Sequence, residues 1–160
     1  MNIGFKRAEE VFINGVCLIG ILNSNEKGID LRNVDLSGAD LCGADLRDAN
    51  LEYANLYGAN LSGANLGGAI LRYANLSGAN LSGADLCGAD LRDANLSFAN
   101  LKYADLSYTY LVDSNLFGAN LYDVDLDGAD LSFANLNNAD LRCVDLSNVN
   151  LNNVDLNGTY

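Results

Sequence analysis

The chain has 160 residues, 49% of them hydrophobic, a formal charge of −12, no histidine and no proline. Without histidine, imidazole base catalysis and most transition-metal sites are excluded together. A length of 160 fits one domain, and no direct nucleic-acid binding is expected of so acidic a chain.

Residues 1–28 come first and read as an N-terminal cap. Lys6 and Arg7 precede the apolar stretch Val11 to Leu22 like the basic start of a signal peptide, yet Glu9 and Glu10 intervene and no small-residue cleavage site is evident. The stretch contains Asn14 and is far too short to span a bilayer. We therefore expect a cytoplasmic protein with no membrane contact. Val11, Val16 and Ile21 share the five-residue phase of Leu31, whereas Glu26 breaks it. Residues 9 to 23 are thus a degenerate first coil, or residues 5 to 13 a short helix over the open end, with a loop from Ser24 to Gly28.

From residue 29 the pattern changes character. Leucine stands at every fifth position from Leu31 to Leu156, 26 in all. On a helix, residues five apart are rotated by roughly 140°, so these leucines would wind around the cylinder. On a flat strand an odd spacing throws successive leucines onto opposite faces. The remaining solution is a backbone that turns a corner in every repeat, with each Leu aimed at one axis. Two residues before Leu, on the same side of the local strand, stand 18 alanines, small enough for a narrow interior, with Ile29, Val34, Thr109, Ser114, Val124, Val144, Val149 and Val154 as the others. The residue just before Leu then faces out; it is Asp 12 times and Asn 12 times, the exceptions being Ile70 and Tyr110. Two residues after Leu, Gly occurs 11 times and supplies the positive φ of a type II turn. The absence of proline preserves the N–H donors that stacked coils need.

The motif, as in Ala59-Asn60-Leu61-Ser62-Gly63, resembles the pentapeptide-repeat family over about 80% of the chain. The resemblance implies an all-β fold: a right-handed, quadrilateral parallel β-helix over residues 29–160 with four repeats per coil. That makes about 6.5 coils and, at about 4.8 Å per rung, a rod about 30 Å long.

With coils of 20 residues, outward side chains stack in columns. One face carries an acidic stripe of Asp45, Asp85, Asp105, Asp125 and Asp145, with Asp127 beside it and Asn65 in the same column. Another stacks Asn55, Asn75, Asn95, Asn115 and Asn135, whose amides can bond to one another. The Leu31 face is the least regular: Tyr53, Ile70, Tyr73, Tyr110, Val112 and Phe133 point outward among Arg32, Arg72 and Arg92. Outward apolar groups mixed with Arg suggest a contact surface. The alternative is that bulky residues after Leu only mark coils with a wider turn. The aromatic run Phe98, Tyr103, Tyr108 and Tyr110 has the same two readings. The segment Leu36 to Leu51 recurs unchanged as Leu81 to Leu96, 45 residues later, so the copy is rotated by one face. A surface that tolerates this looks more like scaffold than a placed active site.

Cys17, Cys42, Cys87 and Cys143 lack CxxC spacing, so neither disulfides nor zinc are expected. No cofactor, metal or enzyme activity is expected either, since the carboxylates lie on an open surface with no nucleophile beside a base. Two functions remain. The first is an interaction scaffold for a protein partner, with end-to-end homodimerisation through the C-terminal coil as a further expectation. The second comes from the resemblance: some family members mimic DNA and occupy type II topoisomerases such as DNA gyrase, and a charge of −12 permits that here.

Overall fold

In a computed structural model of the chain, residues 28–160 are described, together with the strands β1 (Phe12–Ile13) and β2 (Val16–Cys17). β1 and β2 pair antiparallel, Phe12 opposite Cys17 and Ile13 opposite Val16. Residues 12 and 13 are therefore extended rather than helical. The rest of the expected cap lies outside the described residues.

From Gly28 onward the chain is a right-handed quadrilateral parallel β-helix. Twenty-one single-residue bridges join the coils, all parallel and all offset by 20, from Asp30↔Asn50 to Asn135↔Asp155. Each coil bonds the next through a repeating set of backbone contacts: the Leu51 N–H donates to the Ile70 carbonyl at 2.7 Å, the Tyr53 N–H to the Arg72 carbonyl at 3.0 Å, and the Ile70 N–H back to the Ala49 carbonyl at 2.8 Å. Because every corner follows a leucine, the strands shrink to one paired residue per side.

The corners are β-turns. The N–H of the residue three after Leu donates to the Leu carbonyl, as from Ala59 to Leu56 at 3.0 Å. At the third turn position all 11 glycines have φ between 62° and 71°, the conformation a type II turn demands there.

The core is a column of leucine and alanine. The 22 leucines from Leu31 to Leu136 are buried, and Ala fills the gaps between them. Burying a leucine contributes roughly 1.5–3 kcal/mol of gross hydrophobic drive. Thr109 and Ser114 replace Ala in the interior without an orphaned hydroxyl, since each donates to the carbonyl of the Leu three residues earlier at 2.6 Å. Over the last 20 residues burial declines. Leu141, Leu146 and Leu151 are half-buried, and Leu156 is 40% exposed.

The stacking has one gap. No bridge joins Asp125 to Asp145, and among the described residues the N–H groups of Leu126 and Gly128 find no carbonyl in the following coil. An opening of about 280 Å³ lies there, lined by Asp123, Asp125, Asp127, Cys143, Asp145 and Asn148 among others.

Candidate interaction surface

The outward residue before each leucine has a structural duty that fixes what the surface can present. Its side-chain oxygen accepts a hydrogen bond from the backbone N–H two residues on, as from Ser97 to Asn95 at 3.1 Å and from Cys87 to Asp85 at 3.0 Å. All 24 Asp and Asn residues in this position make that bond, so each corner carries an Asx cap. Sequence reasoning treated these side chains as a solvent face. The two-residue spacing between Asx and a turn N–H was the signal for their capping role.

The same geometry organises the arginines. Arg32, Arg47, Arg92 and Arg142 each follow an aspartate by two residues. In each pair one carboxylate oxygen takes the backbone N–H and Nε, and the other takes Nη2. The hydrogen bonds from Arg32 hold the Asp30 carboxyl at about 2, well below its ordinary value. Burial pushes the Asp90 carboxyl up, but the bonds from Arg92 outweigh it and the net shift is downward.

Ile70 and Tyr110 are the two positions without a cap, and both lie on the Leu31 face. Ile70 is 37% exposed and Tyr110 52%. Next to Ile70, the rings of Tyr53 and Tyr73 stack at 4.9 Å between centroids and 8° between planes, with the Arg72 guanidinium 5.7 Å from the Tyr73 centroid. Two coils further on from Ile70, Tyr110 sits 5.9 Å from the Arg92 guanidinium. Val112 is half-buried beside it. Phe133 is exposed but three coils from Tyr73, with Asp93 and Asp113 between them in the column. The structure thus stacks Tyr53 on Tyr73 with Arg72 beside them; Ile70 lies three residues before Tyr73, with Tyr110 and Val112 two coils further along the same face and Phe133 apart.

The turn bond at the aromatic corners runs from 2.9 Å at Tyr53 and Phe133 through 3.1 Å at Tyr73 to 3.2 Å at Tyr108, against 3.0 Å at Gly58. Tyr53, Tyr73, Phe98, Tyr103, Tyr108 and Phe133 adopt φ between 58° and 63°, the left-handed conformation of the glycines they replace. A non-glycine residue there costs roughly 1–2 kcal/mol, so six aromatic rings face outward against a backbone preference.

The aromatic run on the neighbouring faces is packed differently. Lys102 Nζ lies 4.6 Å from the Tyr103 centroid and 4.8 Å from that of Tyr122, and the two rings meet edge to face. The Tyr108 hydroxyl donates to Asp127 at 3.1 Å, and that carboxylate raises the phenol's pKa.

The acidic stripe is less free than its charge suggests. Asp85, Asp105, Asp125 and Asp145 each cap a turn, Asp45 is also paired with Arg47, and Asp127 accepts from Asn148 Nδ2 at 2.8 Å. Asp125, Asp127 and Asp145 are exposed, whereas Asp45, Asp85 and Asp105 are half-buried. Among the described residues no cluster of His, Cys, Asp and Glu could hold a metal ion, and no helix is long and apolar enough to cross a membrane.

Comparison with known proteins adds the lineage. A pentapeptide repeat protein from the thylakoid lumen of Arabidopsis thaliana is 39% identical, with a TM-score of 0.61 over 66% of this chain and 70% of that one. QnrB1, a plasmid-mediated fluoroquinolone resistance protein, shares the fold at 22% identity and a TM-score of 0.52, covering 83% of this chain and 89% of its own. No curated protein matches the chain. The family model for pentapeptide repeats matches in eight copies, over residues 29–68, 59–97, 69–107, 79–118, 94–132 and 119–158. The chain belongs to the pentapeptide-repeat family.

Proposed function

We propose that this pentapeptide-repeat scaffold is non-enzymatic and binds a partner protein through its Leu31 face, centred on Tyr53, Ile70 and Tyr73. The observation that carries this reading is the stacked Tyr53–Tyr73 pair, exposed beside Ile70, one of only two corners among the 26 where an apolar or aromatic residue displaces the cap. Exposed aromatic and Arg side chains around an uncharged centre are the composition of a binding hot spot. The test is cross-linking in cells followed by pull-down with the native chain, Tyr73→Asp and Tyr110→Asp. Aspartate stands in the equivalent columns at Asp93 and Asp90, so both variants retain the fold. Loss of the native partners from both is expected, and undiminished recovery would exclude this face.

Mimicry of DNA at a type II topoisomerase is the second reading, supported by the charge of −12 and the exposed Asp125, Asp127 and Asp145. Against it stands the capping duty of Asp125 and Asp145. If mimicry operates, the purified chain inhibits gyrase supercoiling, and the triple change Asp85→Asn, Asp105→Asn, Asp125→Asn relieves inhibition while keeping every cap. End-to-end pairing through residues 141–160 would cover the half-buried leucines there, and sedimentation of the native chain against Leu156→Asp decides it: a monomer in both excludes pairing.

A further inference from the structure

Five arginines lie in the coils, each two residues after the outward position. Four of them meet an aspartate there, and the fifth, Arg72, meets Ile70. Its backbone N–H and Nε have no acceptor among the described residues, and Nε is buried. The nearby carboxylates do not fill the gap. Asp90, next in the column after Ile70, is held by Arg92 at 2.5 Å, although the charge of Arg72 reaches it. Glu52, one coil before Arg72, forms no ion pair with it within 4.0 Å. The donors that elsewhere grip one carboxylate are thus present at Arg72 and unused. They sit at the rim of the Tyr53, Ile70 and Tyr73 patch; Nε itself is shielded, but Arg72 as a whole is only half-buried, so an arriving group meets the open end of the guanidinium.

We infer that Arg72 is the receptor for an Asp or Glu side chain of a partner protein, flanked by an apolar residue that packs on Tyr53, Ile70 and Tyr73. The inference rests on the docking role proposed for this face and names the chemistry of what docks. Charge complementarity selects the occupant. Arg presents a planar fork that matches a carboxylate in two bonds, and Arg72, unlike Arg32, Arg47, Arg92 and Arg142, has no carboxylate within 4.0 Å among the described residues. A phosphate would also fit the fork, but its second charge is disfavoured on a chain already at −12, with Glu52 one coil before Arg72. A basic segment could pair with Glu52 but would be repelled by the Arg72 guanidinium beside Tyr73.

The test uses the full chain and a peptide array. Each peptide carries a central Glu or Asp between Leu and Phe residues and is paired with Gln or Asn copies and with phosphoserine copies. The native chain should retain the carboxylate peptides about tenfold better than their amide copies, the preference that one charged, bidentate contact supplies. Arg72→Gln should lose the preference. So should Ile70→Asp, which keeps the arginine and recreates the sequence Asp-Leu-Arg that folds at Asp90, Leu91 and Arg92; its carboxylate fills the site from within, and its melting temperature should not fall below that of the native chain. Equal retention of carboxylate and amide copies, preference for phosphoserine, no retention of any peptide, or unchanged preference in Ile70→Asp would each overturn the inference. The two levels separate cleanly. If Tyr73→Asp and Tyr110→Asp release the cellular partner but Ile70→Asp does not, the face stands and the carboxylate falls; if none of the three releases it, the face itself falls.

Discussion

The phenyl ring of Phe98 lies against the α-carbon of Gly118, one coil further on, so closely that a β-carbon there would come within 2.8 Å of two ring atoms. Tyr108 covers Gly128 in the same way. Gly118 also has φ +64, where side chains are disfavoured. Gly118→Ala therefore combines a clash with backbone strain and should cost about 2–4 kcal/mol. Phe98→Ala in the same chain should recover the clash but leave the strain. Urea denaturation of the single and double variants checks both parts.

Acid should loosen the corners. The Asp30 carboxyl is held at about 2, and those of Asp140 and Asp145 are lowered, by hydrogen bonds from Arg142 and Ser147 respectively. A carboxylate whose folded value is depressed stabilises the fold at every pH above its unfolded value of 3.8 and loses that contribution as pH falls through the folded one. Stability should be nearly level from about pH 7 to about pH 5 and decline between about pH 4 and about pH 2. Denaturation midpoints across that range measure it, and a midpoint that rises below about pH 4 contradicts the assignment.

Asn95 sits in the middle of a side-chain ladder, donating to Asn75 at 3.4 Å and accepting from Asn115 at 3.3 Å while its oxygen caps the Ser97 N–H. Asn95→Asp keeps the cap and the acceptor but loses one donor, a change of about 1 kcal/mol; Asn95→Leu loses all three bonds and should cost about 1–3 kcal/mol more. Calorimetric melting of the two variants orders them.

Amide exchange should map the gap at Asp125 and Asp145. The Leu106 and Tyr108 N–H groups donate to the next coil at 2.8 Å, whereas those of Leu126 and Gly128, one coil on, have no such acceptor among the described residues. Exchange at Leu126 and Gly128 should be faster by orders of magnitude, since unbonded amides need no opening event. Equal protection at all four positions would show the coils closed there in solution.

The coil was legible because one residue type recurs at a spacing that neither helix nor flat strand can bury. The columns followed by arithmetic, and so did the amide ladder through Asn75, Asn95 and Asn115, since stacking depends only on the 20-residue period. What escaped depended on side-chain direction. The caps made by Asp85 and Asn95 were missed because polarity says nothing about which backbone donor an oxygen will meet, and the unused donors of Arg72 stay hidden until that bond is known. The ring of Phe98 over Gly118 depends on rotamer, which spacing does not encode. The gap between Asp125 and Asp145 has no local signature, for Asp-Leu-Ser at Asp145 repeats the well-paired Asp-Leu-Ser at Asp105. Tyr53 and Tyr73 share a column by their 20-residue spacing, but the parallel stacking of their rings is likewise set by rotamer.

Because each backbone bond between coils reaches a fixed distance along the chain, as from Leu51 to Ile70, length and heading become independent variables for this molecule. Inserting 20 residues extends the shaft and leaves every downstream group in line; deleting five swings everything beyond the cut through a quarter revolution. Evolution can thus steer a docking patch toward a new quarter without altering any amino acid within it.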